Sequence, residues 1–160
     1  MVCMGNICRS PTAEAVLRHK LDAAGLGGAV AVASAGTTGY HAGERPDARA
    51  IRHALQRGYD LSSLRARQVT AEDFRRFDLI LAMDQDNLRA LGRMRPPDAT
   101  AEVLLLMSHA TDPQRSNAEG VVPDPYYGPA GGFDHVLDLV EHACDGVVEH
   151  VRARLAAVPR

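Results

Sequence analysis

The opening of this chain constrains its fold more than any other stretch. Cys3-Met4-Gly5-Asn6-Ile7-Cys8-Arg9-Ser10-Pro11 sets a cysteine and an arginine six positions apart and ends on a helix start, with Ser10 the expected N-cap and Pro11 the first helical residue. Ala13, Val16, Leu17 and Leu21 then recur at helical spacing, and Gly25 closes the helix. The intervening loop is long enough to curl so that successive backbone N–H groups converge on one anion, where the helix dipole adds positive potential. Gly5 and Asn6 are residue types that tolerate the left-handed backbone such a curl requires.

The rest of the chain repeats the alternation of strand and helix. Residues 30–34 are β-branched and alanine-rich and read as a buried strand, which runs into a turn-rich loop over 36–46. Asp47 caps a second helix that turns Ala50, Ile51, Ala54 and Leu55 inward and stops at Gly58. Thr70 and Asp73 open a short helical piece. The runs 79–83 and 103–107 suit strands buried on both faces, and 84–91 is helical. A second long loop, 109–132, is rich in Pro, Gly, Asp and Ser, and loops of that length are often functional. The last helix carries the stripe Val136, Leu139, Val140, Ala143, Val147, Val151 and Leu155 as core packing. Such alternation predicts an α/β fold in which a parallel sheet is covered by helices on both faces, with sites at the carboxyl ends of the strands. Only Met1 and Val2 precede Cys3, where a central first strand should supply several apolar residues.

With 160 residues, 46% of them hydrophobic and 24% charged, the chain has the balance of one globular domain over residues 1–160. A net charge of -2 gives no global reason to bind nucleic acid or an anionic membrane, so anion binding must be local. Neither a signal peptide nor a membrane-spanning run is visible, and a cytoplasmic location is expected. Cys3, Cys8 and Cys144 are odd in number and lack a Cys-x-x-Cys pair, which argues against a disulfide scaffold or a zinc knuckle and fits a reducing compartment. The seven histidines form no ligand pair. No metal and no cofactor is expected.

The chemistry implied by these residues is that of phosphate esters. A thiol held against amide dipoles and a helix N-terminus is kept as the nucleophilic thiolate, and Cys3 stands at that place. Arg9 offers a planar fork for two phosphoryl oxygens, and Ser10 can hydrogen-bond the sulfur as it leaves. A leaving oxygen needs a proton, and Asp124 in Asp124-Pro125-Tyr126-Tyr127-Gly128 is the candidate donor, with Tyr126 and Tyr127 as walls for a flat ring. Taken singly, Cys3 could be a small buried residue and Asp124 a turn aspartate. It is the combination, without a Walker lysine, that points to a metal-free phosphate site.

These motifs, V-C-M-G-N-I-C-R-S-P at the start, S-A-G-T at 34–37, M-D at 83–84 and D-P-Y-Y-G at 124–128, resemble the low-molecular-weight protein-tyrosine phosphatases over essentially the whole chain. The resemblance implies a single-domain α/β fold with a four-stranded parallel sheet, helices on both faces and an anion-binding loop between first strand and first helix. It also implies a phosphocysteine intermediate on Cys3, clamping by Arg9, and Asp124 acting first as acid and then as base. Met4, Gly5, Asn6, Ile7, Cys8 and Ser10 would surround the phosphate, while Tyr40 and His41 line the cleft opposite Tyr126 and Tyr127. Ser34, Asn6 and Asp84 would hold the loop in shape, and Cys8 would protect Cys3 by forming a disulfide with it when oxidised. The implied partner is a tyrosine-phosphorylated protein, with the enzyme a monomer or weak dimer.

The chain departs from that pattern in its short start, in Tyr40 where Trp is common, and in Leu64, where a histidine often supports Asn6. Two rivals share the loop. An arsenate reductase of the related thiol-dependent type would carry a further cysteine pair near 70–90, and none lies between Cys8 and Cys144. A non-catalytic phosphotyrosine-binding module would lack either the thiol or the acid, and both are present.

Overall fold

A computed structural model describes residues 1–129 and 131–159. Four short parallel strands form one sheet in the order β2-β1-β3-β4: β1 Val2–Cys3, β2 Ala35–Gly36, β3 Leu79–Ala82 and β4 Glu102–Leu105. The helices between and after them are α1 Arg9–Ala23, α2 Ala48–Gln56, α3 Asp73–Arg76, α4 Gln85–Met94 and α5 Gly131–Ala157. None is long and apolar enough to cross a membrane.

Strand periodicity splits the core into two layers. In β3, Leu79 and Leu81 point to the side of α1, α2 and α5, whereas Ile80 and Ala82 face α3 and α4 with Phe74, Leu88 and Leu91. β1 divides in the same way, Cys3 to the first layer and Val2 to the second. Helices therefore cover both faces, as the alternation predicts. Because chain order reverses direction across β1, with β2 on one side and β3 on the other, the carboxyl end of β1 is the topological switch point where such sheets bind ligands.

Three expectations are corrected. The second strand is Ala35–Gly36, while 30–34 is irregular, because a parallel strand extends only where a neighbour runs beside it and the β1 ladder is Val2↔Ala35 and Cys3↔Gly36. The fourth strand ends at Leu105, and Leu106–His109 winds into a 3-10 turn that carries Leu106 and Met107 into the core. Leu155 near the end of α5 and Leu55 near the end of α2 are exposed, and Val151 is only half-buried, so the apolar stripes reach the core only through their earlier turns.

The capping signals mostly act as read. Asp47 accepts the Arg49 N–H at 2.8 Å, and Gly25 and Gly58 take φ of 75° and 89° after their helices; Asp84, a cap that sequence reasoning did not single out, accepts the Asn87 N–H at 2.8 Å. Ser10 is the exception. α1 starts at Arg9 with Cys8 as cap residue and no side-chain cap, because the Ser10 hydroxyl is drawn into the loop instead.

Candidate active site

The loop from Cys3 to Arg9 curls at the end of β1. Its turn depends on Asn6, whose φ of 57° is left-handed. Gly5 does not share that conformation; it is needed for space, since a Cβ there would come within 3.0 Å of the His41 ring. At Gly36 a Cβ would press to 2.7 Å from the Met4 carbonyl, so the loop lies directly on the end of β2.

The loop's carbonyls are bound outward. Thr37 N–H donates to Cys3 at 2.9 Å, Thr38 N–H to Met4 at 3.1 Å, Asp47 N–H to Ile7 at 2.7 Å and the Thr12 hydroxyl to Cys8 at 2.7 Å. The N–H groups of Met4, Gly5, Ile7 and Cys8 have no intramolecular partner among the described residues. Four free N–H groups along one curled segment form a donor surface that suits an anion with several oxygens.

Beside that surface sits the Cys3 sulfur, 3% exposed as a residue, receiving the Asn6 N–H at 3.3 Å. Ser10 Oγ lies 3.0 Å from it and accepts from Asn6 Nδ2 at 2.8 Å, so its one hydrogen is shared between the sulfur and the more distant Ala35 carbonyl at 3.5 Å. The other Nδ2 hydrogen of Asn6 goes to Ser34 Oγ at 2.9 Å, and its Oδ1 accepts Arg67 N–H at 3.0 Å. Asn6 is thus braced on three sides without a histidine at 64, where Leu64 packs against the core.

Arg9 is buried and directed by Asp84, whose carboxylate serves two elements: Oδ1 caps α4 and Oδ2 accepts from Arg9 Nη1 at 2.5 Å. The same Nη1 donates to the Val122 carbonyl at 3.0 Å, a contact that sequence reasoning missed because a backbone carbonyl leaves no residue signature. Arg9 Nη2 lies 3.7 Å from Asp124 Oδ2. The loop over 122–128 therefore reaches the anion loop through Arg9. Asp124 is partly exposed, and its Oδ1 accepts Tyr126 N–H at 3.1 Å.

The model of the family described as low molecular weight phosphotyrosine protein phosphatase matches residues 1–157. The chain belongs to this family. A low-molecular-weight protein-tyrosine phosphatase of Streptomyces coelicolor is 45% identical over 155 residues, which span 96% of this chain and 93% of the relative. The crystal structure of a protein tyrosine phosphatase from Entamoeba histolytica superposes with a TM-score of 0.88 at 36% identity, covering 96% of each chain. A drosophila arginine phosphatase superposes with a TM-score of 0.85 at 32% identity, covering 94% of this chain and 95% of the other.

Around the thiol of this low-molecular-weight phosphatase the aromatic residues are distributed unevenly. Tyr126 is half-buried and meets Tyr127 edge-on with ring centroids 4.7 Å apart, while Tyr127 and Tyr40 are 93% and 79% exposed. They are rim groups, not walls of a closed pocket. Met4 is also exposed, and His41 sits over Gly5 with its Nδ1 2.5 Å from Glu44 Oε2. A separate apolar cavity, bounded by Val30, Val32, Leu79, Leu81, Val147 and Val151, opens at the opposite end of the sheet and shares none of the catalytic candidates.

Proposed function

We propose that this phosphatase hydrolyses phosphotyrosine in proteins, and small aryl phosphates, through a phosphocysteine intermediate. The observation that carries the reading is the set of four unpartnered loop amides curled beside the Cys3 sulfur. The sulfur attacks phosphorus, the phosphorus–aryl oxygen bond breaks, and the Asp124 carboxyl gives its proton to the leaving oxygen. Asp124, now a carboxylate, takes a proton from a water whose oxygen attacks phosphorus. The sulfur–phosphorus bond breaks, inorganic phosphate departs, and the Ser10 hydroxyl stabilises the returning thiolate. Loop amides and Arg9 match the charge on the equatorial oxygens, which is where a loose phosphoryl-transfer state needs stabilisation.

The depth of Cys3 and the aromatic rim favour a long, flat ester. Phosphotyrosine peptides are expected to exceed matched phosphoserine peptides by more than tenfold in kcat/KM, corresponding to about 1.4 kcal/mol or more. Comparable rates would refute the assignment of substrate. A phosphoarginine peptide belongs in the same assay because one structural relative is an arginine phosphatase, and a preference for it would replace tyrosine as the substrate class.

The same reading gives Cys8 a protective role. Cys3 and Cys8 share one buried cluster, and burial, with the negative charges of Asp47 and Cys3 behind it, pushes the Cys8 thiol up to about 12. Cys8 is therefore itself a poor target for peroxide, whereas Cys3 is converted to a neutral sulfenic acid, which removes one of those charges. The Cys8 sulfur then displaces water to form the disulfide, and dithiothreitol reverses it. Cys8→Ala should be active before peroxide but recover far less afterwards than the unmodified protein. Mass spectra with only sulfinic or sulfonic Cys3, and no Cys3–Cys8 peptide, would rule the role out.

A further inference from the structure

Between the anion loop and α2 lies a pair of charged side chains that the reaction above does not use. Asp47 caps α2, and its own N–H is tied to the Ile7 carbonyl, so its position follows the anion loop. Its carboxylate grips the Arg49 guanidinium at two points, Nε to Oδ1 at 3.0 Å and Nη2 to Oδ2 at 2.9 Å. A guanidinium fixed in plane by a carboxylate offers its flat face for stacking. That group stands 4.8 Å from the ring centroid of buried Phe133 and 5.4 Å from that of Tyr126. Phe133 lies in the first turn of α5, and Tyr126 follows Asp124 by two residues and donates its N–H to that carboxylate. Arg49 holds the Asp47 carboxyl below the usual carboxylate range through their hydrogen bonds, so the pair is charged at neutral pH.

We propose that Asp47 and Arg49 form a positioning clamp: anchored to the anion loop at Ile7, Arg49 holds Tyr126 and thereby sets the Asp124 carboxyl over the phosphate site. The inference rests on the reading of Asp124 as the proton donor. Neither clamp residue contacts the reacting atoms. Without the clamp, the loop over 122–128 keeps its contact from Val122 to Arg9 but loses its lateral register, and an acid misplaced by about 1 Å costs on the order of 10²-fold where protonation matters. Substrates whose leaving group needs no proton are spared in kcat/KM, which reports formation of the phosphocysteine and not the later step in which Asp124 is the base.

The test compares phenyl phosphate with para-nitrophenyl phosphate in Arg49→Met, Arg49→Lys and Asp124→Asn, with thermal unfolding of each protein. Arg49→Met should lower kcat/KM at least tenfold on phenyl phosphate and less than threefold on para-nitrophenyl phosphate. Arg49→Lys should restore only part of the loss, since an ammonium keeps the charge but lacks the fork. Adding Arg49→Met to Asp124→Asn should have little further effect, because both changes act through one proton. Equal losses on the two substrates, no loss on either, or full additivity would each overturn the clamp. Should Arg49→Met not fold, Asp47→Asn, which retains an oxygen for the helix cap, is judged by the same criteria. If Asp124→Asn itself lacks leaving-group dependence, the reading of Asp124 fails; if it has that dependence and the clamp variants do not, only the clamp fails.

Discussion

Cys3→Ser and Arg9→Ala should each abolish hydrolysis of para-nitrophenyl phosphate, and EDTA should leave the unmodified protein fully active. A serine hydroxyl at position 3 would meet the same amides but no group placed to take its proton, since Ser10 and Asn6 are donors to that site. The loss at Arg9 is of a different kind. Its guanidinium is the buried positive charge of the site, and removing one donor of developing negative charge lowers kcat by about 10²–10³-fold in comparable sites. Arg9→Ala also leaves Asp84 and the Val122 carbonyl without their donor, so a fall in melting temperature is expected alongside. Arg9→Lys separates the two effects, because it keeps charge near Asp84 while losing the fork. Near-normal turnover in Cys3→Ser or Arg9→Ala would sink the assignment.

Asp124→Asn should lower kcat/KM, which reports formation of the phosphocysteine, by about 10²–10⁴-fold on phenyl phosphate and by much less on para-nitrophenyl phosphate, whose phenolate leaves without a proton. The substitution suits the question structurally. An asparagine oxygen can still accept the Tyr126 N–H that Asp124 Oδ1 now receives at 3.1 Å, so the loop geometry survives while the transferable proton does not. Steady-state kinetics across a series of leaving groups measures the effect as a slope of log kcat/KM against leaving-group pKa, steeper in the variant. An equal fall across the series would mean that Asp124 only shapes its turn.

What was legible in the sequence has a common physical character. The curl of the anion loop, the cap at Asp47, and the glycines ending α1 and α2 all involve residues within a few positions of each other, where backbone sterics and one local hydrogen bond decide the outcome. Ser10 marks the limit of such reading. Its type and place before Pro11 describe an N-cap, but the Asn6 amide and the Cys3 sulfur attract its hydroxyl more strongly, and α1 begins one residue earlier with no side-chain cap.

The sequence by itself determined the alternation of buried strands with amphipathic helices, hence a parallel sheet with the anion loop at its first strand end, because side-chain period and turn chemistry are properties of neighbouring residues. Tertiary structure alone decided that the second strand falls at Ala35–Gly36, since register depends on what lies alongside and not on β-propensity. It also decided that Arg9 leans on the Val122 carbonyl 113 positions away, that Asn6 is braced by the Arg67 amide, and that Arg49 meets Tyr126 and Phe133. Backbone amides and carbonyls carry no residue identity, and a stacking pair carries no spacing rule. Such contacts exist only once sheet order and helix packing have brought distant segments to the same end of β1.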